Sequence, residues 1–165
     1  MKRVILVLSL LLMSLLIMHP LSAADDAKGD TAKEKALIKQ AALDYFEGWY
    51  EGSAERMTKA LHHELAKRRP FTFKPTGKTV LQYSPYSAMI EYARSGMGKK
   101  AAKENLNITV KVFDVYKDIA SARVSGVDFY DFIHLAKVNG EWKIINVLWQ
   151  RAKERKPRPK IESKK

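Results

Sequence analysis

The sequence contains no cysteine among its 165 residues. That absence excludes disulfide bonds, and it also excludes structural zinc sites whose ligands are thiolates. The fold must therefore be stabilised by side-chain packing. A single domain of roughly 140 residues, which is what remains after the N-terminal segment discussed below, can bury an adequate core.

Signatures of several common activities are missing as well. The chain has no phosphate-binding loop, no nucleophile elbow and no dinucleotide fingerprint. The body of the chain shows no aromatic and basic interleaving typical of nucleic-acid binding. Zinc-binding helices place histidines four residues apart, whereas His62 and His63 are adjacent in a segment predicted to be helical. We therefore predict no metal, no cofactor and no nucleic-acid partner.

The first 24 residues have the three parts of a secretory signal peptide. A basic start is followed by an apolar run, residues 4–18, and then by small residues that end at Ala24. The run is shorter than the roughly 20 residues that span a bilayer as a helix. We predict cleavage after Ala24 and an exported protein, periplasmic or secreted. The alternative is an anchor that is retained.

The formal net charge of +12 is concentrated at the C-terminus. Residues 151–165 carry eight basic and two acidic residues, whereas residues 25–150 are nearly balanced, with 20 and 16. The tail contains two prolines and one large apolar residue, so we predict that it is disordered. It could contact anionic surfaces or simply be solvated.

Helical signals dominate the first half of the chain. After a polar linker, residues 25–32, a possible capping box at Thr31 and Glu34 precedes an apolar helical periodicity that stops at Gly52. Ser53 is predicted to cap a second helix that includes both histidines and ends before Pro70. An irregular or edge hairpin follows, and then a short helix that opens at Pro85.

From residue 106 the pattern is typical of strands, and turns are predicted at 117–118 and 139–140. Three antiparallel strands result, 106–116, 119–138 and 141–150, with a bulge possible at Gly126. The turn at 139–140 fixes a register that pairs Leu135 with Ile144 and Asp131 with Leu148.

That register assigns side chains to two faces of the sheet. The helix-covered face is predicted to hold four core residues and three polar ones: Ile133, Leu135, Trp142, Ile144, Asp131, Asn146 and Arg123. The other face has no helix to cover it, so we predict a homodimer through Tyr130, Phe132, Ile145, Val147 and Trp149.

The order of these segments resembles the NTF2-like superfamily (nuclear transport factor 2), and within it the small bacterial branch called putative lumazine-binding. The residues that carry the resemblance are "ALDYFEGWYEGSAERMTKALHHELAKR", "DVYKDIASARV" and "YDFIHLAKVNGEWKIINVLW". It implies an α+β cone at residues 33–150, in which N-terminal helices pack on a curved antiparallel sheet. The branch has His-Pro where this chain has His62 and His63. The fold hosts isomerases, dehydratases and non-enzymatic binding domains, so it does not define an activity.

The candidate site follows from this arrangement. Asp131 could act as a general base in an apolar cone, with His62 as a second catalytic candidate, or Asp131 and Asn146 could be a buried polar pair that fixes the sheet. The predicted ligand pocket comprises Tyr45, Trp49, Tyr50, His62, Asp131 and Asn146.

Three functions are compatible with these features. The first is an exported domain that binds a small, partly apolar and possibly heteroaromatic ligand. The second is a cofactor-free isomerase or dehydratase of the same fold, and the third is a periplasmic module that binds another protein.

Overall fold

The computed structural model describes residues 21–99 and 106–152. Within those ranges there are three helices, α1 (Leu21–Glu51), α2 (Ala54–Ala60) and α3 (Tyr86–Arg94). The six strands are β1 (Leu61–Thr72), β2 (Thr79–Pro85), β3 (Thr109–Tyr116), β4 (Ile119–Ser125), β5 (Phe129–Val138) and β6 (Glu141–Arg151). The chain divides into two compact units, residues 1–36 and 37–165, and the sheet belongs to the second. No helix within the described ranges is both long and apolar enough to cross a membrane.

The six strands form one open sheet in the order β2-β1-β6-β5-β4-β3. All neighbours are antiparallel except β1 and β6, which run parallel. The predicted α+β class, with helices on one face of a sheet, is confirmed. The sheet is mixed rather than wholly antiparallel, because β1 reaches β6 through a long connection.

Helix α1 begins at Leu21, well before the predicted capping box. Residues 25–32, assigned to a linker in the sequence analysis, are helical here, so Thr31 does not lie at the helix start. The predicted signal peptide lies almost wholly outside the described residues, as does nearly all of the basic tail.

The second helix is shorter than predicted. Ser53 caps α2 as expected, since its side chain accepts a hydrogen bond from the Arg56 backbone N–H at 3.2 Å. The chain then becomes extended at Leu61, so His62 and His63 lie on a strand rather than on a helix. The prediction that Pro70 ends this helix is wrong; Pro70 lies within β1, beside the edge strand β2. Helix α3 was located correctly, and Met89, Ile90 and Ala93 are buried on it as predicted.

The predicted middle strand is in fact two strands. β4 ends at Ser125 and β5 begins at Phe129, and the two pair as a hairpin closed by a 3.0 Å hydrogen bond from Gly126 N to Phe129 O. Gly126 therefore marks the discontinuity, but as a reversal of chain direction rather than as a bulge. This reversal places Arg123 opposite Phe132 on the uncovered face, where Nη1 donates to the Tyr130 hydroxyl at 3.1 Å.

A second irregularity changes the register of β6. The predicted pairing of Leu135 with Ile144 is correct, but the register shifts beyond it, so that His134 pairs with Asn146 and Asp131 with Trp149. A β-bulge of one residue reverses the side of the sheet that every later residue faces. Val147 is consequently buried in the core, and Trp149 packs on the covered face against Phe129. The assignment of both to a dimer face is therefore wrong, as is that of Asn146 to the covered face.

The core lies between the helices and the covered face of the sheet. Of the four core residues predicted on the strands, all are buried: Ile133, Leu135, Trp142 and Ile144. They meet apolar side chains from the helices, among them Ile38, Ala42 and Met57.

Candidate functional site

Three polar side chains meet inside this core. The Lys67 Nζ atom donates to Asp131 Oδ2 at 2.9 Å, and the Tyr45 hydroxyl donates to the same oxygen at 2.8 Å. Lys67 also donates to the Tyr45 hydroxyl. Asp131 is fully buried, and Lys67 and Tyr45 are 6% and 3% exposed. We refer to Tyr45, Lys67 and Asp131 as the buried polar cluster.

The cluster is assembled by strand register rather than by proximity in sequence. Strand β6 lies between β1 and β5. Lys67 in β1 pairs with Val147 in β6, and Asp131 in β5 pairs with Trp149, two residues further along β6. All four side chains face the helices, and Tyr45 reaches the cluster from α1. The Lys67 ammonium also lies over the Trp149 ring, 4.7 Å from its centroid, which is a cation–π distance.

Burial governs the electrostatics of the cluster. It raises the pKa of Asp131, and the charge and hydrogen bond of Lys67 oppose the shift. It lowers the pKa of Lys67, again against the attraction of Asp131. Burial and the adjacent carboxylate both raise the pKa of Tyr45. The second carboxylate oxygen, Asp131 Oδ1, is buried and has no hydrogen-bonding partner among the described protein atoms.

An apolar cavity of about 110 Å³ adjoins the cluster. Two members of the cluster, Lys67 and Tyr45, line this cavity. The remaining wall is largely aromatic or thioether in character and is drawn from α1, β2, α3, the segment after α3 and β5: Phe46, Trp49, Ser84, Met89, Tyr92, Met97 and Phe129. Tyr92 and Met97 are themselves exposed, so they mark the side on which the cavity opens to solvent.

A glycine fixes one wall of the cavity. A Cβ atom built on Gly98 would lie 2.3 Å from the Trp49 carbonyl oxygen and 2.5 Å from the indole Nε1. No side chain fits at such distances, so the segment that carries Met97 packs directly on Trp49 only because residue 98 is glycine.

The structure separates the six predicted pocket residues. Tyr45 and Trp49 line the cavity, and Asp131 lies behind its wall, in contact with Lys67. Tyr50 is buried away from the cavity, where its hydroxyl accepts a hydrogen bond from the Asp128 backbone N–H at 3.4 Å. Burial is the main cause that raises the pKa of Tyr50 to about 12.

Asn146 and His62 lie outside the cavity lining. Asn146 faces the uncovered side, with its amide nitrogen 3.2 Å from His134 Nδ1. His62 is at the start of β1, where Nδ1 accepts a hydrogen bond from the Glu64 backbone N–H at 3.3 Å.

The two histidines are also arranged differently from the expectation. On the strand the rings of His62 and His63 lie side by side, with centroids 4.2 Å apart. With Glu64 they form a group whose possible metal-ligating atoms are all within 4.8 Å of one another. The helical argument against a shared metal is therefore wrong. His63 and Glu64 are exposed, however, and the Nδ1 atom of His62 is already hydrogen bonded.

Lys67 was missed because its segment was predicted to be helical. A lysine carries no sequence signal of burial, and the Leu65–Lys67 alternation of a strand is too short to outweigh the preceding helical pattern. Phe129, Met89 and Met97 were not predicted to line the cavity for a related reason. They are far apart in the sequence and come together only when β5 and α3 pack in the folded domain.

Solved structures that are similar to this fold include several NTF2-like proteins. An NTF-2-like protein of unknown function from Silicibacter pomeroyi has a TM-score of 0.58 and 15% identity, covering 73% of this chain and 98% of that one. One from Shewanella baltica has a TM-score of 0.56 and 18% identity, with coverages of 74% and 97%. An NTF2-like protein with a cystatin-like fold from Novosphingobium aromaticivorans has a TM-score of 0.55 and 12% identity, with coverages of 82% and 92%. At these identities the similarity defines an NTF2-like fold alone.

The family within that fold follows from the sequence. The model of the family described as "Putative lumazine-binding" matches residues 33–150, and the chain belongs to this family. No curated protein matches the sequence. The resemblance inferred from the motifs is thereby confirmed for both superfamily and family.

Proposed function

We propose that this NTF2-like domain binds a small, partly apolar, heteroaromatic ligand in the cavity beside Lys67. The observation that carries the proposal is the combination of aromatic walls with one buried cationic group. Rings of Phe46, Trp49 and Phe129 provide surfaces on which a flat ligand can pack. The Lys67 ammonium provides a directional donor for a ring nitrogen or carbonyl oxygen.

The size of the cavity restricts the ligand. Its volume of about 110 Å³ is well below the several hundred Å³ of pockets for drug-sized molecules. The occupant is therefore a compact ring system rather than an extended one. The family's description mentions lumazine, itself a compact heteroaromatic, which agrees with this size class.

Mass spectrometry of small molecules released from the purified protein is the first test. We expect a heteroaromatic compound, and we expect its rebinding to raise the melting temperature. Met97→Trp should block the open side of the cavity and abolish both effects. Leu37→Trp, at an exposed residue of α1 outside this cavity, is the matched control and should bind normally. Equal binding by both variants would contradict the proposed location.

An enzymatic role is the second candidate, favoured by a buried carboxyl whose pKa is raised by burial. Cofactor-free isomerisation or dehydration needs one such acid or base. In this arrangement Lys67 would meet the substrate and Asp131 would act through it. Asp131→Asn should then abolish turnover of the identified ligand while the circular dichroism spectrum is retained. A ligand that is returned chemically unchanged would eliminate this candidate.

Export and dimerisation complete the proposal. A leader cleaved after Ala24 would give an exported form, which intact-mass measurement of secreted protein can test.

The uncovered sheet face presents Phe113, Tyr130, Phe132 and Leu148, all exposed, and we propose that a second copy of the chain covers them. Light scattering should give a dimer for the parent and a monomer for Phe132→Glu, with Ser87→Glu on α3 as a dimeric control. A monomeric parent would contradict this.

A further inference from the structure

The end of the β1–β2 hairpin exposes apolar side chains on the face that also carries Lys67. Along β1, Arg69 and Phe71 share the side of Lys67, because alternate residues of a strand face the same way. Phe73 follows on that side, with its ring in edge-to-face contact with Phe71 at 5.1 Å. Val80 pairs with Phe71 across the hairpin. Phe71, Phe73 and Val80 are 36%, 49% and 45% exposed.

Positive charge surrounds these residues, and negative charge is absent from the whole segment. Between Glu64 and Glu91 the chain has five basic residues and no acidic one. Lys74 and Lys78 lie at the exposed turn. Arg69 lies over the Phe71 ring at 5.2 Å and over the Trp149 ring at 4.8 Å. The hairpin thus brings cations and aromatic rings together, contrary to the expectation that the body of the chain lacks such interleaving.

The hairpin is also well ordered at its end. Phe73 N–H donates to the Lys78 carbonyl at 2.9 Å, and Gly77 N–H donates to the Phe73 carbonyl at 2.8 Å. The Thr72 and Thr79 hydroxyls are 2.8 Å apart across the strands. Because this backbone is already hydrogen bonded, the exposed apolar residues can be presented to a partner without the cost of ordering the loop.

We propose that the tip of this hairpin, residues 71–80, docks on an anionic lipid surface. The exposed apolar side chains of Phe71, Phe73 and Val80 match the boundary between headgroups and acyl chains. Lys74 and Lys78, at the turn beside them, match the anionic headgroups at that boundary. Nucleic acid is a poorer fit, since the rings of Phe71 and Phe73 stack edge to face on each other and Val80 offers no flat surface to a base.

The hairpin tip lies close to the cavity along strands β1 and β2. Lys67 pairs with Ser84, and both line the cavity; Arg69 pairs with Gln82 one step outward, and Phe71 with Val80 one step further. The cavity and the docking surface are therefore formed by successive residue pairs on the same face of the β1–β2 hairpin. The hairpin can bind lipid whether or not the cavity is occupied.

The absence of native cysteine allows a direct test. The full chain is produced in an exporting bacterial host, its processed form is defined by intact mass, and Thr76→Cys at the hairpin turn is labelled with an environment-sensitive fluorophore. Vesicles of phosphatidylcholine containing 30% phosphatidylglycerol should shift its emission to the blue. A label at Asp118→Cys, in the exposed β3–β4 turn, is the matched control and should not respond.

Vesicle co-sedimentation then tests the residues. Lys74→Gln with Lys78→Gln should lower binding to the anionic vesicles roughly thirtyfold, the loss expected for two lysines at such a surface. Phe73→Ser should lower it strongly, and Leu37→Ser, at a similarly exposed apolar residue of α1, should not. Unchanged binding in the hairpin variants would assign binding to the basic tail and overturn the proposal. So would equal binding to pure phosphatidylcholine, or preferential binding of the labelled hairpin to single-stranded DNA or to a second copy of the chain.

Discussion

Two clusters of charge occupy opposite kinds of environment in this domain. In the buried polar cluster, Lys67 and Asp131 are almost completely removed from solvent. The other cluster centres on Arg56, which is 24% exposed at the side chain. Its guanidinium donates to Asp44 at 2.9 Å, to Glu51 at 3.0 Å and to Glu47. We call these four residues the Arg56 cluster.

The difference lies in how completely each charge is compensated. Partial burial works to lower the pKa of Arg56, but its hydrogen bonds to three carboxylates outweigh that effect and raise the pKa further above its usual range. Lys67 donates to one carboxylate, and the second oxygen of that carboxylate has no hydrogen-bonding partner within the part of the chain that the structure describes. Charges that are buried and incompletely paired contribute little net stability, so we expect the buried polar cluster to stabilise the fold less than an apolar group of the same volume would.

The largest effect should come from breaking the buried pair. Lys67→Met leaves Asp131 as an uncompensated buried carboxylate and should lower the free energy of unfolding by about 3–5 kcal/mol. Urea denaturation, followed by tryptophan fluorescence, measures the loss. Replacing both members, Lys67→Met with Asp131→Leu, should recover roughly half of it or more, because neither charge then has to be buried. A double variant as unstable as the single one would show that the pair itself stabilises the fold.

Breaking the Arg56 cluster should cost less. Arg56→Met should lower the free energy of unfolding by about 2 kcal/mol, since Asp44 keeps hydrogen-bond and ionic contacts with Gln40 at 3.2 Å and Lys59 at 3.4 Å. Because the guanidinium is partly solvated, the loss should shrink in 1 M salt. Arg94→Met, which removes only the exposed pair with Glu91, is the control and should change stability by less than about 0.5 kcal/mol. If Arg56→Met cost as much as Lys67→Met, the distinction between the clusters would fail.

The two clusters also differ in how far sequence could predict them. The Arg56 cluster joins residues at most 12 positions apart on a helical hairpin, and the Gly52 and Ser53 signals that define this hairpin were read correctly. Helix α3 and the strand turns were likewise set by local features, Pro85 and Asn139–Gly140. The fold was predictable wherever a turn or cap residue determines the chain's direction.

The candidate site was less predictable because it depends on three non-local events. The helix-to-strand change at Leu61 places Lys67 in the sheet. The reversal at Gly126 moves Arg123 to the uncovered face. The bulge near Ile145 puts Val147, instead of Asn146, on the covered face. Each arises from pairing with a distant strand, and no short-range pattern encodes it. Asp131 was nevertheless assigned to the helix-covered face, because the register set by the turn at 139–140 is correct as far as Leu135 and burial alternates regularly along β5 from there.

The smallest effect, and the most specific to the buried pair, is on pH dependence. Burial holds the folded-state pKa of Asp131 above its ordinary value of 3.8, so the folded protein takes up this proton before the unfolded chain does. Above its folded-state pKa, the ionised Asp131 lowers the free energy of unfolding. As the pH falls from that pKa towards 3.8, protonation of Asp131 restores this free energy. Relative to Asp131→Asn, the parent's free energy of unfolding should rise on acidification, by at most roughly 1.4 kcal/mol per pH unit. Urea denaturation of both proteins between pH 7 and 4 measures this difference. In a Lys67→Met background, which lacks the opposing cation, the rise should begin at a higher pH. A difference that stays constant, or that falls towards acid, would mean that attraction to Lys67 outweighs burial.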